Sequence, residues 1–399
     1  MSSTLSAHPG ALSTPNQEAL SAFKQQITAA NLYTPETDTE LASHDDATLL
    51  RFLRARKFDL AATQKQFSGA EEWRKKHDVD RLFANAATEE VEAGRSFYPM
   101  WTGRRDKTGV PLYVYKLVAL KKRDSELNAL TPERRYQRIV TLYEVMWRFN
   151  MRLCSVLPRP NPHVPISSTT SIIDLEGVTM SHMWNFRSHL QQAATLATAN
   201  YPETLHMVVV INAPSFFATA WGWAKGWFDE YTRSKVHVFS QASGLQDIAD
   251  IEDIPKAYGG QLDWEYGDNP NLDDEAKAVL GGEYPLGAWE FDEATKGKVK
   301  PRGDGKRMKA GGVVANGDVP YGEEAGGVDG TGETALPAVN GNAHGVAAHV
   351  GDAPVPGPAQ PKTVLVAPTD HSAASTPPAP EHAAAETTDT NAVLSSRVP

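Results

Sequence analysis

Two short β-branched runs, separated by a helix's length of chain, limit the fold of this sequence more than any other feature. Thr169–Asp174 and His206–Ile211 (His-Met-Val-Val-Val-Ile) are continuous and apolar, as strands buried on both faces are. The chain from about 181 to 200 reads as a helix between them. Strand, helix, strand in that order gives a right-handed parallel crossover, so the expected class is α/β. Upstream, Tyr98–Thr102 and Leu112–Leu117 read as strands joined by a turn at Asp106-Lys107-Thr108-Gly109. A long helix is predicted over 132–152, with Pro132 in the first turn, where its missing N–H is harmless.

Helices precede the sheet. Asp45-Asp46 is a start signal for a helix through Arg56, with Leu49, Phe52 and Leu53 on its apolar face. A second helix from Asp59 to about Lys76 turns Leu60, Phe67 and Trp73 inward. The expected organisation is an extension with a short helix over 1–44, a helical unit over 45–95, an α/β domain over 96–268, a C-terminal extension over 269–299, and a disordered tail over 300–399. From Ala310 onward the tail has one aromatic residue, Tyr321, and ten acidic residues against two basic ones, so it carries most of the formal charge of −10. Such a composition buries too little apolar surface to offset chain entropy. The remainder is nearly neutral, and neither part has the basic balance of a nucleic-acid binder. The basic run Lys296–Lys309 admits two readings, a solvated hinge or a weak anchor for anionic lipid.

Most enzyme classes find no support. There is no G-x-x-x-x-G-K-[ST], G-x-G-x-x-G or G-x-S-x-G string, no His-Glu-x-x-His and no paired cysteine, so no cofactor, metal or catalytic residue is expected. His182 and His189 read as surface or packing residues, and Asp174 and Glu176 as structural acceptors at a strand end. The single Cys154 cannot form an internal disulfide and reads as an inert buried thiol in a reducing compartment. No run approaches the roughly 18–20 apolar residues of a membrane span, and the N-terminus has no secretory pattern.

Ser215–Phe228 stands out. Wound as a helix, Phe216, Ala220, Trp223 and Trp227 form one stripe, and Phe217, Trp221, Ala224 and Phe228 form the next. Together they exceed the stripe a surface helix buries. Trp and Phe favour membrane interfaces. Gly222 and Gly226 each weaken the helix by about 1 kcal/mol relative to Ala. The segment is either a buried core helix or a mobile interfacial one.

Several strings taken in order resemble the CRAL-TRIO lipid-binding family. Leu49-Leu-Arg-Phe-Leu-Arg-Ala-Arg-Lys-Phe58 and Trp73-Arg-Lys75 resemble its N-terminal helical unit. Asp106-Lys-Thr-Gly-Val-Pro-Leu-Tyr113, Ile173-Asp-Leu-Glu-Gly177, Asn200-Tyr-Pro-Glu203, Ile211-Asn-Ala-Pro214 and Ile254-Pro-Lys-Ala-Tyr-Gly-Gly260 resemble landmarks of its main domain. The likeness is to the Sec-fourteen type, in particular the fungal phosphatidylinositol/phosphatidylcholine transfer proteins. It implies a mixed, mainly parallel sheet flooring an apolar lipid pocket, with a gate helix at 215–228 that inserts Trp221, Trp223, Trp227 or Phe228 into a membrane. It implies an inositol phosphate site at Arg56, Lys57, Glu203, Thr232 and Lys235. It also implies a second-lipid site that keeps hydroxyls at Tyr143, Thr169 and Ser171 but has Ala197 and Thr102 where the family supplies Ser and Tyr. The implied activity is lipid transfer without catalysis, by a monomer that meets a membrane transiently and presents lipid to a lipid kinase. The implied location is cytoplasmic, at Golgi or endosomal membranes. The alternative is a static module that binds a hydrophobic ligand.

Overall fold

Five strands form the main sheet in chain order: β1 (Met100–Arg105), β2 (Pro111–Lys116), β3 (Thr169–Asp174), β4 (Leu205–Ile211) and β5 (Val236–Val238). β1 runs antiparallel to β2, and the other neighbours are parallel. The coordinates are a computed structural model that describes residues 5–307 and 309, apart from 123, 229, 240 and 241. These belong to a unit spanning Met1–Val319; the unit Pro320–Pro399, and with it most of the expected tail, lies outside the described residues.

The period of two divides the sheet's side chains between unlike surroundings. Leu112, Val114, Ile172, Val209 and Ile211 pack on one face against Leu245, Ile254, Leu262 and Trp264. Tyr113, Tyr115, Ser171, Ile173, Val208 and Val210 border a large cavity on the other. The runs that read as doubly buried strands therefore have one face on side chains and one on an internal space. Asp106 pins the turn before β2, its Oδ1 accepting from the Thr108 and Val110 amides at 2.8 and 3.1 Å.

Three helices open the chain, α1 (Thr14–Ala29), α2 (Asp46–Ala55) and α3 (Leu60–Lys76), and they enclose their own core, with Phe23 and Phe52 edge-on to Phe67. Asp45 caps α2 through the Thr48 amide at 2.8 Å, and Asp59 caps α3 through that of Ala62 at 2.9 Å. The shorter α4 (Val79–Ala84) and α5 (Thr88–Arg95) lead to the sheet. α6 (Pro132–Val145) continues through a π-helical turn, Met146–Met151, into a last turn, Arg152–Val156. α7 (Met180–Asn200) is the crossover between β3 and β4. His182 has a definite task there: its Nδ1 and amide exchange hydrogen bonds with Thr179 to close a capping box.

One buried carboxylate ties these parts together. Glu144 accepts from Arg74 Nη1 at 2.8 Å, Arg148 Nε at 2.6 Å and the Tyr201 hydroxyl at 2.5 Å. Burial alone would push its carboxyl up, but the two guanidinium groups hold it down at about 2. Arg148 also donates to Glu290 at 2.6 Å, on the hairpin β6 (Glu290–Asp292) and β7 (Gly297–Val299) of the C-terminal extension.

The basic run corrects the expectation of a solvated hinge. Leu41 donates its amide to the Arg307 carbonyl at 2.9 Å. Lys306 pairs with Glu40 at 2.8 Å, Arg307 with Asp45 at 3.6 Å and Lys309 with Glu36 at 2.7 Å. Lys306, Arg307 and Lys309 thus dock on residues 36–45, whose acidic side chains neutralise them. Cys154 is free and fully buried, and burial pushes its thiol up to about 12.

Candidate functional site

The cavity above the sheet has a volume of about 1740 Å³, well beyond the ~300–1,000 Å³ usual for small-molecule sites. Its floor is the β2–β3–β4 face. Leu142, Tyr143 and Met146 of α6 and Met183, Leu190 and Ala194 of α7 wall it.

The aromatic segment closes it. α8 (Phe217–Ala224) runs into a 3-10 turn, Lys225–Trp227. Phe217, Ala220, Trp221, Ala224, Trp227 and Phe228 line the cavity, and the Phe217 and Trp221 rings lie parallel with centroids 6.4 Å apart. Of the helix only Ala220 is buried, which rejects the core-helix reading. Two gate residues depart from expectation. Phe216 stands at the helix start, off the cavity lining, and Trp223 faces outward, 48 % exposed, edge-on to Trp184 at 5.9 Å. Of the four side chains expected to enter a membrane, Trp223 alone is exposed; Trp221, Trp227 and Phe228 are turned inward, where they cover apolar wall.

The opposite end is charged. The turn after α7 puts Glu203 in the left-handed region at φ 58°, and Lys57 and Phe58, after α2, follow at φ 53° and 63°. Lys235 Nζ lies 3.3 Å from Glu203 Oε2, donates to the Leu205 carbonyl at 2.8 Å and sits 4.1 Å over the Tyr231 ring. Thr232 borders the cavity beside them, on α9 (Glu230–Ser234). All five expected headgroup residues line one cavity. They differ in role: Arg56 is exposed and donates back to the Ala55 carbonyl at 2.9 Å, and Lys57 is exposed.

A further cation within charge range of Glu203 is one that sequence reasoning missed. Arg54 borders the cavity and donates to the Ala7 carbonyl at 3.3 Å and Ser167 Oγ at 3.4 Å. Burial lowers its guanidinium to about 10 against the pull of Glu203 and Tyr231. Arg51, three residues earlier, instead serves the fold: it donates to the Pro202 carbonyl at 3.2 Å and stacks 4.0 Å over Trp147. His8, from the N-terminal segment, also borders the cavity. Its position carries no pattern that a sequence reading could use.

Tyr143, Thr169, Ser171 and Ala197 line the cavity. Tyr143 stacks on Tyr201 at 4.9 Å, and burial raises its phenol to about 12. Thr169 Oγ1 donates to the Thr204 carbonyl at 3.4 Å. Thr102 corrects the expectation of a lost hydroxyl at the site. It lies off the cavity, donating to the Leu112 carbonyl at 3.0 Å and accepting from the Arg104 amide at 3.1 Å. Phenols at Tyr98, Tyr113 and Tyr115 do border the cavity, and Tyr98 packs 5.0 Å from His189, which also lines it. Among the described residues no group of three or more His, Cys, Asp or Glu could hold a metal ion, and no helix is long and apolar enough to cross a membrane.

Residues 95–260 match the CRAL/TRIO domain model and residues 19–69 its N-terminal domain. The "Sec14 cytosolic factor" of Schizosaccharomyces pombe is 34 % identical over 257 residues, covering 63 % of this chain and 85 % of the relative. That of Kluyveromyces lactis is 29 % identical over 296 residues, 73 % and 90 % of the two chains. An Arabidopsis thaliana relative, "Phosphatidylinositol/phosphatidylcholine transfer protein SFH9", is 29 % identical over 310 residues, 76 % of this chain and 49 % of its own. The chain belongs to the CRAL-TRIO family.

Proposed function

We propose that this chain buries one phospholipid at a time, takes phosphatidylinositol by its headgroup at the Glu203–Lys235 end, and carries it between membranes. The observation behind this reading is a single large apolar cavity with aromatic closure at one end and a cluster of cations at the other. At about 0.8 kcal/mol per methylene, the roughly thirty methylenes of two acyl chains represent about 24 kcal/mol of apolar transfer. A carrier must present a comparable apolar wall before the lipid leaves the bilayer. Trp223 meets the interface first, the lid swings away, lipids exchange, and closure returns Trp221, Trp227 and Phe228 to the cavity. No bond is made or broken. Lys235, Arg56 and Lys57 neutralise the phosphate, and Glu203 and Thr232 bond inositol hydroxyls. Tyr143, Thr169 and Ser171 offer hydroxyls to a second lipid, with phosphatidylcholine as the first to test. The names of the relatives support phospholipid transfer; to that reading we add phosphoinositide supply to a lipid kinase at Golgi or endosomal membranes by a monomeric cytoplasmic protein.

Vesicle-to-vesicle transfer of labelled phosphatidylinositol tests this directly. Transfer well above the uncatalysed rate is expected. A chain that binds the lipid yet leaves it in the donor vesicles is a static module instead.

A further inference from the structure

The N-terminal segment 5–13 lies against the charged end of the cavity, and it is tied there. The Ser13 amide donates to the Ser6 carbonyl at 2.9 Å, and Asn16 Nδ2 donates to the same carbonyl at 2.8 Å. Arg54 holds the Ala7 carbonyl at 3.3 Å. Gly10, at φ 79°, is pressed so closely on the His163 backbone that a β-carbon there would stand 2.1 Å from its carbonyl oxygen. This turn aims Leu5, Ala7 and His8 into the cavity. His8 Nδ1 is buried and has no hydrogen-bond partner among the described residues. The groups around the imidazole are Arg54 from α2, His206 from β4 and Lys235 ahead of β5, with Glu203 as the countercharge of Arg54 and Lys235.

We propose that segment 5–13 is a second cover of the cavity, at the headgroup end, and that His8 is a specificity-determining residue that donates a hydrogen bond to a phosphate group held by Arg54 and Lys235. The proposal rests on the phospholipid reading of the same cavity and adds a ligand and a linked proton to it. Without ligand, burial and then the charges of Arg54, His206 and Lys235 push the imidazole down to about 4, so it is neutral near pH 7. An anion among these groups offsets both cations and favours imidazolium, whose N–H then bonds the phosphate oxygen. Binding is therefore linked to proton uptake, strongest between the free and the bound midpoints.

The test follows the His8 imidazole by NMR in the full chain, assigned with His8→Gln. The probes are phosphatidylinositol vesicles, diacylglycerol vesicles and inorganic phosphate. Phosphatidylinositol should raise the midpoint by about 1–3 pH units, and diacylglycerol, which lacks phosphate, should leave it in place. His8→Gln should slow phosphatidylinositol transfer about tenfold with unchanged thermal unfolding. Gly10→Ala, which cannot keep its place on His163, should speed loss of bound inositol lipid with His8 intact. A shift with inorganic phosphate alone supports the site and identifies the phosphate, not the inositol ring, as what it reads. A midpoint that does not move in lipid-loaded protein, or a His8→Gln variant that transfers at the wild-type rate, overturns the inference and leaves the transfer reading standing. A wild-type chain that moves no inositol lipid overturns both.

Discussion

At the charged end of the cavity the backbone is held where it would not rest alone. Lys57, Phe58 and Glu203 are left-handed non-glycine residues, each costing on the order of 1–3 kcal/mol unless the surroundings enforce it. Here they do: Phe58 packs against the N-terminal helical core, and the turn carrying Glu203 is gripped by Arg51 at the Pro202 carbonyl and by Glu144 at the Tyr201 hydroxyl. The lid end is the reverse. α8 and the 3-10 turn after it have one buried residue, two glycines with open space where a β-carbon would stand, and an aromatic face that meets a cavity rather than a packed core. The contrast assigns precision to one end and motion to the other. A phosphate needs fixed donors, whereas two acyl chains need an opening.

The sharpest way to break this contrast is to loosen the fixed end. Glu144→Gln keeps the shape but removes one charge that Arg74 and Arg148 share, leaving them Asp80 and Glu290, and losing a carboxylate held that far below its ordinary value costs about 3 kcal/mol. Urea unfolding should show a loss of that size. The acid limb gives an independent reading. A carboxyl held at about 2 in the fold and near 4.5 ordinarily contributes stability that is complete above the ordinary value. That stability drains away as pH falls from 4.5 toward 2. The Gln variant should be flatter through that window. An equally steep limb would mean other carboxylates, Asp45 foremost with its own value held at about 2 beside Arg152, dominate acid unfolding.

A smaller effect, confined to the ligand, is expected from removing the site's lysines. Lys57→Ala with Lys235→Ala should reduce phosphatidylinositol transfer by at least tenfold, the loss of one or two charge-assisted hydrogen bonds at about 1.5–3 kcal/mol each. Arg54 stays in charge range of Glu203, so that carboxylate keeps a countercharge and the fold should survive. Unchanged transfer by the folded double variant would move the headgroup site elsewhere.

Much of this contrast can be read in the sequence. β3 is legible to the residue, because a β-branched run between a crossover helix and a turn admits few alternatives. The lid is legible because its apolar stripe is too wide for a surface helix. Glu203 and Lys235 came from a family resemblance, and the fold brings them to 3.3 Å. What stays hidden depends on tertiary placement. Arg51, Arg54 and Arg56 sit in one amphipathic run, and only the packing of α2 against Pro202 and Trp147 sends Arg51 into structure and Arg54 to the cavity. The π turn at 146–151 leaves no mark in composition. β5 has three residues, too few for a period. The basic run 302–309 resembles a linker until acidic partners some 260 residues earlier meet it, as Glu40 meets Lys306.

At the mobile end, Gly222→Ala should stabilise the lid helix by about 1 kcal/mol, and Gly226→Ala should stiffen the 3-10 turn after it by about 0.4–1 kcal/mol. Neither position requires a left-handed backbone, and an added methyl meets nothing within 4 Å. If exchange requires the helix to bend, transfer should slow severalfold while lipid affinity at equilibrium holds. Equal slowing of uptake and release would show that the stiffer helix acts on the shared opening step.

The finest probe is the exposed ring pair. Trp184 and Trp223 meet edge-on at 5.9 Å and 76°, 51 % and 48 % exposed. They join the crossover helix to the lid from outside the cavity. Arg187 lies 3.9 Å over the Trp184 ring and holds it in place. An aromatic pair of this kind is worth about 0.5 kcal/mol, at the low end because water reaches it. Trp184→Ala removes the contact and spares every cavity-lining side chain, so lipid affinity should hold. Hydrogen exchange over 217–227 should then rise about twofold. Trp223→Ala should free the lid by the same factor but also remove the side chain that first meets a membrane, so its transfer should fall. If the two variants instead behave alike in both measurements, the rings act as one latch, and membrane entry must begin at another part of the lid.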